Sequence, residues 1–166
     1  LQIGNLPLLG ELLNYKIVCD FRVQDVQLGG QGAPLVPIGD EILFSEYDYC
    51  LNLGGFSNVS FKEKDKRIAF DISPVNTVLN YYANELGFPY DDAGNIAKSG
   101  SVDLDLLKQL NEIDYYKAAY PKSLGMEFVN QTIFPLLHSF SINNKDKMRT
   151  FVEHIAFQIS KVIIRE

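Results

Sequence analysis

From Tyr47 to Asp71 the chain carries three short β-type runs separated by abrupt turn signals, and this stretch constrains the fold more than any other. Asp48 to Leu53 (DYCLNL) reads as a strand and Gly54-Gly55 as a tight turn. Phe56 to Lys62 (FSNVSFK) alternates in period two and reads as the return strand. Lys62 to Arg67 (KEKDKR) is a charged, solvated hairpin loop, and Arg67 to Asp71 (RIAFD) is a third strand. Runs joined this closely can pair only antiparallel, because a parallel pair needs a crossover of a dozen residues or more. Pro74 then occupies a favourable first helical position, and Val75 to Leu86 carries apolar residues at helical spacing.

The flanks are more varied. Leu6 to Leu13 is a short apolar helical turn, and Tyr15 to Asp20 (YKIVCD) reads as a strand covered on both faces. Phe21 to Gln27 is polar and mixed. The run Gly29-Gly30-Gln31-Gly32-Ala33-Pro34 suits no regular element, and Pro37 to Ser45 suits a helix. Asp91 to Gly100 is a loop with a helical turn. Asp103 to Asn111 is a short helix capped by Ser101 or Asp103, and Glu112 to Pro121 is aromatic and irregular. Asn143 to Arg165 is the clearest helix, with Met148, Phe151, Val152, Ile155, Ile159, Val162 and Ile163 on one face. A domain seam is expected between Gly39 and Tyr47.

Composition narrows the function. With 166 residues, 46% apolar and 22% charged, the chain is ordinary globular material. Fifteen basic against twenty-one acidic side chains give a net charge of −6, a poor surface for nucleic acid or anionic membranes. No apolar run reaches the roughly 18 residues of a membrane helix. Cys19 and Cys50 lie in apolar runs and are expected to be reduced and buried, and two cysteines with two distant histidines exclude a zinc site. The chain opens on Leu1 and closes on Ile163-Ile164-Arg165-Glu166 without a helix stop, so a fragment is expected.

Few residues offer chemistry. No Gly-Lys-Ser/Thr P-loop, dinucleotide fingerprint or G-x-S-x-G elbow is present. The Gly54-Gly55 turn can aim N–H groups at a phosphate, although a plain hairpin turn is the commoner use. Asp71, at a strand end before a helix, suits a general base and equally a helix cap. Asp20 and Asp25 flank Arg22, an arrangement more often a local ion pair or loop anchor than a catalytic set. His138 and His154 sit on apolar stretches and read as structural.

Five stretches carry a resemblance: DFRVQDVQLGGQGAPLVP (Asp20 to Pro37), LNLGGFSNVS (Leu51 to Ser60), FDISPVNTVLN (Phe70 to Asn80), YDDAGNIAKSG (Tyr90 to Gly100) and PKSLGMEF (Pro121 to Phe128). In this order they resemble the middle of the anhydro-N-acetylmuramic acid kinase family of bacterial cell-wall recycling, and the resemblance covers essentially the whole chain. It implies an α/β fold of the actin-like ATPase (ribonuclease H-like) superfamily, with antiparallel hairpin strands in a mixed sheet flanked by helices. Residues 1–45 would be the tail of a first ATPase-fold domain, and residues 46–166 most of a second that lacks its C-terminal part.

The implied protein is a cytoplasmic sugar kinase using ATP and Mg²⁺. Water opens the 1,6-anhydro ring while the γ-phosphate goes to O6, giving N-acetylmuramic acid 6-phosphate. Carried over residue by residue, Asp71 is the catalytic base. Gly54, Gly55 and Asn58 form the second phosphate-binding turn, and Arg22, Asp25, Gly30, Gln31 and Asn76 belong to the substrate cleft. No metal ligand is implied. The chain departs from the family's Asp-x-Gly-Pro-Gly-Asn at Ser73 and Val75, has Asn80 where aspartate is common, and reads Ser-Leu-Gly-Met-Glu at 123–127 in place of Ser-Thr-Gly-Arg-Glu. The family's N-terminal phosphate motif and C-terminal adenosine motif are not in it. The isolated chain is therefore expected to be inactive and to dimerise or aggregate through an uncovered interface. The alternative is a truncated or degenerate ATPase-fold module that binds without catalysis.

Overall fold

The computed structural model describes residues 8–30, 32 and 35–164. Helices α1 (Leu8–Leu13), α2 (Phe21–Gln27) and α3 (Pro37–Leu43) come first. Strands β1 (Tyr49–Leu53), β2 (Phe56–Glu63) and β3 (Lys66–Pro74) follow as an antiparallel sheet in the order β1-β2-β3. Next are α4 (Asn76–Glu85), a 3-10 turn with α5 (Asn95–Lys98), and α6 (Leu104–Glu112). The segment α7 (Met126–Phe128), a π-helical stretch Val129–Ile133 and α8 (Phe134–Ser139) run on from one another, and α9 (Asn144–Ile163) closes the fold.

The three-strand expectation is met, and β3 runs three residues past Asp71 to Pro74. Pro74 therefore ends a strand rather than starting a helix. Alternation in β2 puts Val59 and Phe61 on one face, where they meet Phe70 and Ile72 of β3 in a buried cluster. Tyr120 stacks on Phe70 with ring centroids 5.1 Å apart, closing that cluster from outside the sheet.

The larger core is helical. Met148, Phe151 and Ile155 of α9 pack with Leu106, Leu110, Val129, Ile133 and Leu137. Further along the same stripe, Ile159 and Val162 pack against the sheet cluster, so one amphipathic helix ties the two cores together. Its start is set by Asn143, whose side chain accepts the Asp146 N–H at 2.9 Å. At α6 the cap is Asp103, which accepts the Leu106 N–H at 2.8 Å.

The first third departs from expectation. Tyr15 to Asp20 forms no strand, and Tyr15 and Val18 stand 78% and 73% exposed. An apolar run becomes a strand only beside another, and among the described residues none lies beside this one. The polar stretch Phe21 to Gln27 is helix α2, and Pro37 to Leu43 is helical as expected. No side chain of α1, α2 or α3 is buried. Cys19 and Cys50 are free thiols, but both are half-buried rather than buried. The described sheet is antiparallel throughout, so the mixed sheet implied by the resemblance is not found among the described residues.

Candidate active site

Asp71 lies inside β3, 6% exposed, at an irregularity in the ladder. Asn58 pairs with Asp71 while Ser57 pairs with Ser73, so Ile72 is an extra residue and forms a bulge. Bulges bend a strand locally and re-aim the side chains beside them. Asp71 is held from the segment after α6. The Leu124 N–H donates to its Oδ2 at 2.8 Å, the Asp71 N–H donates to the Lys122 carbonyl at 3.1 Å, and the Tyr115 hydroxyl donates to its carbonyl at 2.6 Å. Oδ1 has no protein partner among the described residues. Burial pushes the carboxyl above the usual aspartate range, and the Leu124 N–H offsets part of that rise.

The helix-cap reading of Asp71 fails. The N-cap of α4 is Val75, with no side-chain bond to the helix. Main-chain carbonyls of the glycine turn do that work instead. The Gly55 carbonyl accepts from Val75 N–H at 2.8 Å, Thr77 N–H at 3.2 Å and Thr77 Oγ1 at 2.9 Å, and the Gly54 carbonyl accepts from Asn76 N–H at 3.2 Å. The Gly54 N–H goes to the Phe56 carbonyl at 3.1 Å, leaving the Gly55 N–H as the turn's remaining main-chain donor among the described residues. A Cβ on Gly55 would stand 2.9 Å from Thr77 Oγ1, which explains a glycine there.

Gly54, Gly55, Asn58, Asp71 and Asn76 thus share one continuous β2–β3–α4 unit. Arg22, Asp25 and Gly30 form a second group on α2 and the loop after it. Asp25 Oδ2 accepts the Gly32 N–H at 2.7 Å, and Arg22 Nη1 donates to the Gly32 carbonyl at 2.6 Å. Both side chains therefore anchor the loop, the commoner of the two uses weighed from sequence. Gly30 lets the chain pass Asp25, whose carboxylate would sit 2.2 Å from an added Cβ. Gln31 lies outside the described residues.

Sequence reasoning missed Tyr115, Lys122 and Leu124 as neighbours of Asp71. Burial, then the charge of Asp71, raises the Tyr115 phenol well above its usual range, so it stays a donor. Lys122 Nζ donates to the Tyr115 carbonyl at 3.0 Å and lies 4.6 Å from the centre of the Tyr115 ring. Burial and nearby Lys161 lower the Lys122 ammonium. For Lys122 and Leu124 the only signal was the PKSLGMEF motif, to which no role was attached, and Tyr115 lies outside it.

Fold and site together define an α/β domain that carries a buried carboxylate and a glycine turn at a helix start on one β2–β3–α4 unit. A family model described as AnmK, Anhydro-N-acetylmuramic acid kinase, matches residues 1–165, and the chain belongs to that family. An anhydro-N-acetylmuramic acid kinase of Pseudomonas putida is 46% identical over 134 residues, covering 78% of this chain and 37% of that protein. One of Pseudomonas syringae pv. syringae is 38% identical over 167 residues, covering 96% of this chain and 46% of that protein. One of Shewanella baltica is 34% identical over 176 residues, covering 99% and 47%. The chain spans about half the length of these curated relatives, or less. Among the described residues no helix is long and apolar enough to cross a membrane.

Proposed function

We propose that this chain supplies the catalytic base and one phosphate-binding turn of a cytoplasmic kinase acting on 1,6-anhydro-N-acetylmuramic acid. The observation that carries this reading is Asp71: a buried carboxylate with one oxygen fixed by the Leu124 N–H and the other without a protein partner among the described residues. Asp71 takes a proton from water as the water oxygen bonds to the anomeric carbon. The bond from that carbon to O6 breaks, and O6 takes the γ-phosphoryl group, leaving ADP. Raised proton affinity brings the carboxylate nearer the operating pH, where a general base is most effective. The Gly55 N–H donates to the moving phosphoryl oxygens, and Asn58 and Asn76 flank the same turn.

ATP is the phosphoryl donor, and Mg²⁺ bound with it neutralises phosphate charge. Among the described residues no three His, Cys, Asp or Glu side chains gather to hold a metal. A Mg²⁺ carried on substrate phosphates fits such a chain, since it keeps several waters and needs one or two carboxylates at most.

Residues 46–166 are read as most of a second actin-like ATPase domain, and residues 1–45 as the tail of a first. Supporting this division, both cores are built from residues after 48, while α1 to α3 bury no side chain. The departures at Ser73 and Val75 do not favour a non-catalytic module. The Ser73 hydroxyl lies 3.1 Å from that of Ser57, and Val75 belongs to the helical core.

The test is turnover of the complete protein with the anhydro sugar and ATP-Mg²⁺ in ¹⁸O-labelled water. Equal amounts of ADP and sugar 6-phosphate should form, with ¹⁸O at the anomeric carbon and none in the phosphate. ADP release without a phosphorylated sugar would overturn the reading.

A further inference from the structure

Asp71 sits where a strand is least able to hold a side chain still. The bulge at Ile72 breaks the ladder beside it, and β3 is at the edge of the described sheet. Both main-chain groups of Asp71 take a partner from outside the sheet. Its N–H goes to the Lys122 carbonyl and its C=O receives the Tyr115 hydroxyl. The carboxylate itself is held at one oxygen by the Leu124 N–H. All three contacts come from residues 115–124. That segment is closed on itself, because Lys122 Nζ donates to the Tyr115 carbonyl and lies over the Tyr115 ring.

We infer that Tyr115 is a positioning residue for the Asp71 carboxylate, and that Lys122 locks the strap through which it acts. The inference rests on Asp71 being the base. Tyr115 does not touch the reacting atoms. Its hydroxyl fixes the Asp71 carbonyl, and with it the backbone dihedrals that aim the carboxylate out of the bulge. A phenol kept protonated by burial and by the Asp71 charge does this at any working pH. Removing the hydroxyl leaves a buried carbonyl that must recruit water. Aim loosens and the carboxylate becomes better hydrated, so its proton affinity falls back toward that of an ordinary aspartate.

The experiment compares Tyr115→Phe with wild type and with Asp71→Asn in the complete protein, reading kcat, KM for the anhydro sugar and the pH dependence of kcat. For Tyr115→Phe, kcat should fall about tenfold or more with KM little changed, as misplacement of a reacting group predicts. The acid limb of its pH profile should move to lower pH. A purely structural tyrosine would change the melting temperature and leave that limb in place, and this result would overturn the inference. Full turnover by Asp71→Asn would remove the base assignment and the inference with it. Loss in Asp71→Asn beside wild-type kinetics in Tyr115→Phe would remove the inference alone. Should Tyr115→Phe not fold, Lys122→Met decides. It loosens the same strap while keeping an unbranched side chain on the Tyr115 ring, and must show the same fall in kcat and shifted limb. A wild-type profile in Lys122→Met would overturn the inference.

Discussion

Gly55→Ala tests the glycine turn with a magnitude that can be worked out in advance. The new Cβ would stand 2.9 Å from Thr77 Oγ1, closer than such atoms approach, so Thr77 must rotate. Rotation gives up the Thr77 hydroxyl bond to the Gly55 carbonyl, now 2.9 Å. That bond is worth about 0.5–1.5 kcal/mol net, and an off-rotamer Thr77 costs about as much again. The smaller entropy of an unfolded chain with alanine returns about 0.4–1 kcal/mol. The balance is a loss of about 1–2 kcal/mol, or about 2–8 °C in Tm for a domain of this size. Gly54→Ala is the control, since its added Cβ meets nothing closer than 3.6 Å. It should move stability by about 0.5 kcal/mol or less. Urea unfolding of the complete protein, followed by circular dichroism, supplies the values. Adding Gly55→Ala to Thr77→Ala should cost almost nothing more, giving a coupling of about 1 kcal/mol. Additive costs, or a Gly54→Ala as damaging as Gly55→Ala, would refute the geometry.

In the complete protein, Asp71→Asn should lower turnover by about 10²–10⁴-fold, the usual contribution of a positioned base. A fully active variant would move the base to another acid, with Asp25 the first to test. The same variant should be more stable than wild type at pH 7. The Asp71 pKa is raised by burial, so folding opposes its ionisation and the wild type loses stability as pH rises through that pKa. The gap in Tm should close below the ordinary aspartate pKa, and a gap of constant size across pH would count against it. His154 acts in the opposite sense. Burial depresses it to about 3, so the unfolded chain takes up a proton first as the pH falls below its ordinary value. Stability should then fall by about 1.4 kcal/mol per pH unit between pH ~6 and ~4. His154→Gln should flatten that slope in urea titrations, and an unaltered slope would assign it elsewhere. Asp25→Ala should speed hydrogen exchange at the Gly32 N–H while changing global stability by less than about 1 kcal/mol. Unchanged exchange would show that Asp25 is not the loop's anchor.

The legible parts of the fold were those whose signals are local. The turn residues and alternation of residues 48–71 specify a meander unaided. Asn143 and Asp103 announce their helices because a cap lies within three residues of the N–H that it holds. The unread parts depend on distant partners. Tyr15 to Asp20 has strand composition, but pairing is decided by a neighbour that sequence does not display. Asp71 could be read as base or cap because nothing local shows that Gly54 and Gly55, some twenty residues earlier, already satisfy the helix start. Tyr115 and Lys122 stayed invisible for the same reason, since their contacts to Asp71 span forty-four and fifty-one residues.

The extra residue in β3 carries a consequence for reading relatives of this chain. Phe70 and Ser73 are three apart yet face the same side, pairing with Val59 and Ser57, because Ile72 consumes one position of the strand without a partner. A deletion of Ile72 alone would therefore preserve every pairing on either side of it. The chain would still present an aspartate on the same face, and an aligned comparison would still score the site as intact. What would vanish is the kink. Spacing here is inherited information separate from identity, and a one-residue gap between the aspartate and the proline should be weighed as heavily as loss of the carboxylate itself.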